Sequence, residues 1–262
     1  MSFMWQERYQ VGQSPLHRLD PRVKTVVTLL LILGVLLTPE GAWPAYPLLW
    51  ALVGGLAAVG GLGAWRVARA GGVALPFALA AITLLFTVPG RPIAFFLGLP
   101  ISDAGLTRFL SILFKSWLSV QAALLLAMST PFTDLLWALG SLRLPGTLVA
   151  IVSFTYRYLT TLRDEAERLM RARAARSGSV AGRRAGGSLL WRARVAGGMV
   201  GNLFLRSYER SERVYAAMLA RGYAGEFRAL RAPALTWGAV WRGAVPIAAL
   251  AIIELLAYGL WK

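Results

Sequence analysis

The chain has 262 residues, 57% of them apolar and only 15% charged, with 28 Lys plus Arg against 12 Asp plus Glu, one His and no Cys. A water-soluble domain carries roughly 45–50% apolar and about 25% charged residues, so both figures depart toward a membrane protein. Without cysteine, and with His17 alone, there can be no disulfide framework, thiolate zinc site, cysteine nucleophile or multi-histidine metal centre.

A net charge of +16 together with a mean hydropathy of +0.58 requires the charge to be segregated along the chain. The pI near 11.3 has only its basic footprint to support nucleic-acid binding, and the positive-inside rule accounts for the same excess in a membrane protein. No nucleic-acid partner is expected.

The first 24 residues lack the layout of a cleavable signal, because acidic and turn residues precede the first apolar run. Five segments read as spans of an all-α polytopic membrane protein, at about 23–38, 46–64, 72–88, 106–128 and 239–260. At the entry to the first span Arg8, Arg18, Arg22 and Lys24 outnumber Glu7 and Asp20, and the next connection holds Glu40 and no cation, so the amino terminus is expected in the cytoplasm. Arg66 and Arg69 then fall inside. Arg91 and Arg108 fall outside with only Asp103 against them, a mild breach of the rule. Trp43, Trp50, Trp65, Trp237 and Trp241 sit near span ends, as an aromatic belt would. The organisation read is a four-span bundle over 1–128, a cytoplasmic or interfacial region over 129–233 and a last span over 234–262.

The middle region holds most of the surplus charge. Between Arg163 and Arg231 there are 15 arginines, no lysine and 6 acids. Residues from Leu148 to about Ser177 lack Pro and Gly and read as one long helix. On it, Asp164 with Arg168 and Glu167 with Arg171 fall four apart. A Gly, Ser and Arg stretch follows (177–188), then a second helix over about 201–221, with Glu209 four before Arg213 and Gly222 as its stop. Both helices end on one phrase: Ala175-Arg176-Ser177 and Ala220-Arg221-Gly222.

A small residue permits close approach, and an arginine at the negative end of a helix dipole can extend its fork to a partner carboxylate. Two such ends suit docking. A solvated, lipid-facing basic face, or a coding bias toward arginine, accounts for the same residues, and spacing alone leaves the choice open.

These residues also carry a family resemblance. SPLHRLDPRVK, STPFTDLLWALGSLRLP, YRYLTTLRDEAERLMRARAARSG and FLRSYERSERVYAAMLARGYAG resemble, over nearly the whole chain, the transmembrane T component of energy-coupling factor (ECF) transporters, most like the cobalt-transport CbiQ type. The resemblance implies two coupling helices docked on two ABC ATPase subunits through Ala175, Arg176 and Ser177 and through Ala220, Arg221 and Gly222. It also implies a separate CbiM-like S component that holds the ion, with a small accessory membrane subunit, in the bacterial cytoplasmic membrane. Ser177 departs from the usual glycine, though Gly178 follows at once. By that resemblance this chain holds no metal or cofactor and is no enzyme. The residues agree in lacking a GxxxxGK[ST] phosphate loop, so ATP is expected to be hydrolysed by partners. Cobalt is the expected cargo, with nickel or a vitamin as alternatives.

Lys115 and Glu254 lie within the fourth and fifth spans at similar depth from the outer face, a candidate intramembrane pair. The alternative is a snorkelling lysine and a protonated or hydrated glutamate. Asp164, Glu165 and Glu167 read as a neutralised helical face, since Arg163, Arg168 and Arg171 lie among them. His17 reads as an interfacial or capping residue. A second function class, an integral-membrane enzyme on a lipid or isoprenoid phosphate, would need an acidic cluster free of arginines at a span end, and none is present.

Overall fold

The computed structural model describes residues 9–10, 12–74, 76, 80–96, 99–176, 188–223 and 235–260. Helix predominates, as expected. The chain divides into two compact units, Met1–Leu142 with Arg231–Lys262, and Arg143–Leu230.

In the first unit, α1 (Pro21–Leu37) opens at Asp20, whose side chain accepts from the Arg22 N–H at 2.8 Å, with Pro21 at the first helical position. α2 (Ala45–Val59) and α3 (Ala64–Ala70) follow. The expected third span is not one helix among the described residues. It shows 3-10 turns at Gly71–Ala74 and Ala81–Thr83 and a single turn, α4 (Leu84–Thr87), with Pro76 and Ala80 also helical and residues 75 and 77–79 outside the described residues. Gly71 and Gly72 are poor α-helix formers, which suits the 3-10 turn at its start.

A hairpin, β1 (Pro92–Phe96) and β2 (Leu99–Ser102), then leads into α5 (Asp103–Ser129). Ser102 caps that helix by accepting from the Gly105 N–H at 3.0 Å. α6 (Phe132–Ser141) is short, and α9 (Trp237–Leu260) closes the unit.

Two of the described helices are long and apolar enough to cross a membrane, Asp103–Ser129 and Trp237–Gly259. At 1.5 Å per residue, α1 and α2 reach only about 26 and 22 Å, short of the roughly 30 Å hydrocarbon core.

The core forms around α1. Val27, Leu31 and Val35 pack with Tyr46 and Leu49 of α2, Leu118 of α5 and Leu250 of α9. Close approach of α1 and α9 depends on glycine, because a β-carbon on Gly243 would collide with Val23 and one on Gly34 would collide with Leu250. The outward faces stay apolar: Leu29, Leu33, Leu36 and Leu37 of α1 and Val245, Ile252 and Leu255 of α9 are exposed. So extensive a greasy exterior fits lipid rather than water.

The first compact unit runs on to Leu142. α6 belongs to the membrane unit because Arg22 of α1 lies 4.2 Å from the Trp137 ring centroid, and Leu136 and Ala138 are buried. Arg143, the first residue of the second unit, takes a left-handed φ of +69°.

That second unit consists mainly of two long helices, α7 (Gly146–Arg176) and α8 (Leu189–Ala220), each about 47 Å long. α8 starts well before the expected Gly201. Ser188 caps it by accepting from the Trp191 N–H at 3.3 Å, and Gly197, Gly198 and Gly201 weaken the helix without ending it. Of these two helices only Ala150 is buried. The expected loop at 177–187 lies outside the described residues.

Candidate functional site: two arginine-tipped helices and their clasp

At the end of α8, the Gly222 N–H bonds the Leu219 carbonyl and the Tyr223 N–H bonds the Met218 carbonyl, both at 3.0 Å. Gly222 takes φ +78°. Together these make a Schellman stop, which ties down two terminal carbonyls and needs a residue without a β-carbon at the left-handed position. Arg221 is thereby fixed at the C-cap with its side chain exposed. Arg176 is the last residue of α7 and is also exposed. Neither guanidinium has a carboxylate within 4 Å among the described residues. Ala175 and Ala220 precede them in the last turns, while Ser177 lies outside the described residues.

The helices meet at Glu165. Its Oε1 accepts from Arg206 Nη1 at 2.8 Å and its Oε2 from Arg210 Nη2 at 3.1 Å, with Arg168 Nη2 at 3.8 Å. The glutamate side chain is only 13% exposed, and the Arg206 and then the Arg210 hydrogen bonds hold its carboxyl below the usual carboxylate range. Arg168 therefore turns to Glu165 rather than to the expected Asp164. Glu167 meets both Arg163 at 3.0 Å and Arg171 at 3.5 Å, and Glu209 meets Arg213 at 3.9 Å.

On one side of the clasp, Arg168, Arg173, Arg176, Arg206 and Arg210 line a cleft of about 920 Å³. On the other, Ile151, Phe154, Tyr158, Val214, Tyr215 and Met218 line a groove of about 410 Å³. α7 and α8 thus run past each other in opposite senses, with the cleft on one side of the Glu165 contact and the groove on the other.

The family model described as CbiQ, cobalt transport protein, matches residues 12–231. The chain belongs to that family of ECF transmembrane components. Among its relatives, the energy-coupling factor transporter transmembrane protein EcfT of Brevibacillus brevis is 26% identical over 97% of both chains. The EcfT of Listeria innocua is 30% identical over 86% of this chain and 88% of its own. The cobalt transport protein CbiQ of Rhodobacter capsulatus is 34% identical over 40% of each. The chain is a membrane component of a transporter.

Elsewhere in this CbiQ-family chain, Lys115 and Glu254 do not form an ion pair within 4 Å. Both instead serve the end of α1: Lys115 Nζ donates to the Leu36 carbonyl at 3.2 Å, and Glu254 Oε1 accepts from Thr38 Oγ1 at 2.7 Å. The Tyr258 hydroxyl adds a 2.6 Å bond to the Leu37 carbonyl. The open carbonyls of α1 attract the lysine more directly than a carboxylate on another helix does.

The mild breach of the charge rule also has a local answer, because Arg108 bonds Glu40 at 2.9 Å across 68 residues. His17 Nε2 faces the Gln10 carbonyl at 2.9 Å and Nδ1 the Ser14 hydroxyl at 2.7 Å, a loop-bracing role. Sequence reading missed Lys24. Its buried ammonium donates to the carbonyls of His17 and Ser129 and to Thr130 Oγ1, joining the amino-terminal loop to the end of α5. It missed Arg206 and Arg210 too, although their four-residue spacing puts both on one face of α8.

Proposed function

We propose that this chain is the coupling subunit of an ECF importer, spanning the bacterial cytoplasmic membrane five times with its amino terminus inside. Two cytoplasmic ABC ATPases dock on Arg176 and Arg221, and the chain passes their nucleotide-driven motion to a separate S component in the membrane. The observation that carries the reading is the pair of exposed arginines at helix ends, one of them held by a Schellman stop and neither with a carboxylate within 4 Å among the described residues. A guanidinium so placed can give a bidentate bond to an acceptor on another protein. Nearly coreless α7 and α8 support it, since such helices gain most from surface supplied by partners. Cobalt ion is the proposed cargo, on the strength of the family description, and the ion is held by the S component.

Replacing both arginines, Arg176→Glu with Arg221→Glu, is expected to abolish uptake and co-purification of the ATPases while the chain still inserts. Normal uptake by that variant would refute the assignment.

A further inference from the structure

Little apolar burial joins α7 to α8: Ala150 alone is buried on the first helix and nothing on the second. The direct hydrogen-bonded tie between them is the contact at Glu165. An ordinary exposed ion pair contributes little to stability. This one differs in that a single, largely shielded carboxylate receives a guanidinium hydrogen bond on each oxygen, both from the opposite helix. The two donors sit one turn apart on α8, so they fix the helix's rotation as well as its distance. The position along the helices is informative too. Arg176 lies eleven residues beyond Glu165, and Arg221 lies fifteen beyond Arg206 and eleven beyond Arg210, which puts the arginine ends about 16–22 Å from the clasp.

We propose that Glu165 is a positioning residue, which pins α7 to α8 through Arg206 and Arg210 and makes the two arginine ends a single body. The use of those ends rests on the docking reading above; the pinning does not. Displacing either end then turns the pair about one point, whereas without the clasp each helix moves separately.

The chain has no cysteine, so spin labels at Met170→Cys and Leu219→Cys, both exposed positions, report the spacing directly in the full chain held in lipid nanodiscs. The parent is expected to give one narrow distance peak. Glu165→Gln should lose it, and the charge-exchanged triple Glu165→Arg, Arg206→Glu, Arg210→Glu should restore it. In cells supplied with the ATPases and S component, Glu165→Gln should lower uptake about tenfold while the ATPases still co-purify. An unchanged peak in Glu165→Gln, a triple as broad as that variant, or full uptake with Glu165→Gln overturns the proposal. If the parent fails to capture ATPases, the docking reading falls, and the peak widths still decide the clasp.

Discussion

Gly222 shows how much one backbone angle can determine. Its φ of +78° is open to glycine and costs an L-residue roughly 1 kcal/mol, while no atom stands within 4 Å of where a β-carbon would lie. Gly222→Ala should therefore leave packing intact and act only through the helix stop, loosening the carbonyl bonds that hold Arg221 in place. Faster amide exchange at Gly222 and Tyr223 is the expected readout, and unaltered exchange would count against the stop. Sequence reading found this glycine because its position after an apolar helical run is itself the signal. The cross-helix bonds of Glu165 were missed for the opposite reason. Its neighbours Arg163 and Arg168 are close in sequence and suffice to neutralise it, whereas Arg206 is 41 residues away and only the crossing brings it near.

Among the elements, α1 and α9 depend on glycine contact, and the two helices can be tested with one kind of substitution at two places. Gly243→Ala adds a methyl that must displace Val23, which should cost about 1–3 kcal/mol, while Gly259→Ala meets no atom within 4 Å. A lower melting temperature in detergent for the first and none for the second is expected. The fourth and fifth expected spans appear as α5 and α9 because long unbroken apolar runs define helices strongly. The third starts as a 3-10 turn, because hydropathy averages over a window and is blind to single residues such as Gly71 and Gly72, and its middle lies partly outside the described residues. The long arginine-rich helices were legible for the converse reason, as runs rich in good helix formers, though three glycines hid the first three turns of α8.

For the whole molecule, the proposed orientation is open to a direct measurement, again aided by the lack of native cysteine. Trp43→Cys should react with a membrane-impermeant maleimide added outside intact cells, and Trp65→Cys and Trp237→Cys only after permeabilisation, all three being exposed side chains. The reverse pattern would invert the topology and place Arg176 and Arg221 on the wrong side for cytoplasmic ATPases. Charge counting along the chain predicted this orientation, and the Glu40–Arg108 bridge pairs one of the two arginines that run against it. The cargo is not written in the chain's own residues, because selectivity in the proposed assembly belongs to another polypeptide.

The near-absence of buried side chains on α7 and α8 bears on how the cell must make this protein. Two 47 Å rods with solvent on nearly every face are readily opened and cut, so a copy synthesised in excess of its companions should be short-lived. Stoichiometry would then be set after translation, by degradation of orphans.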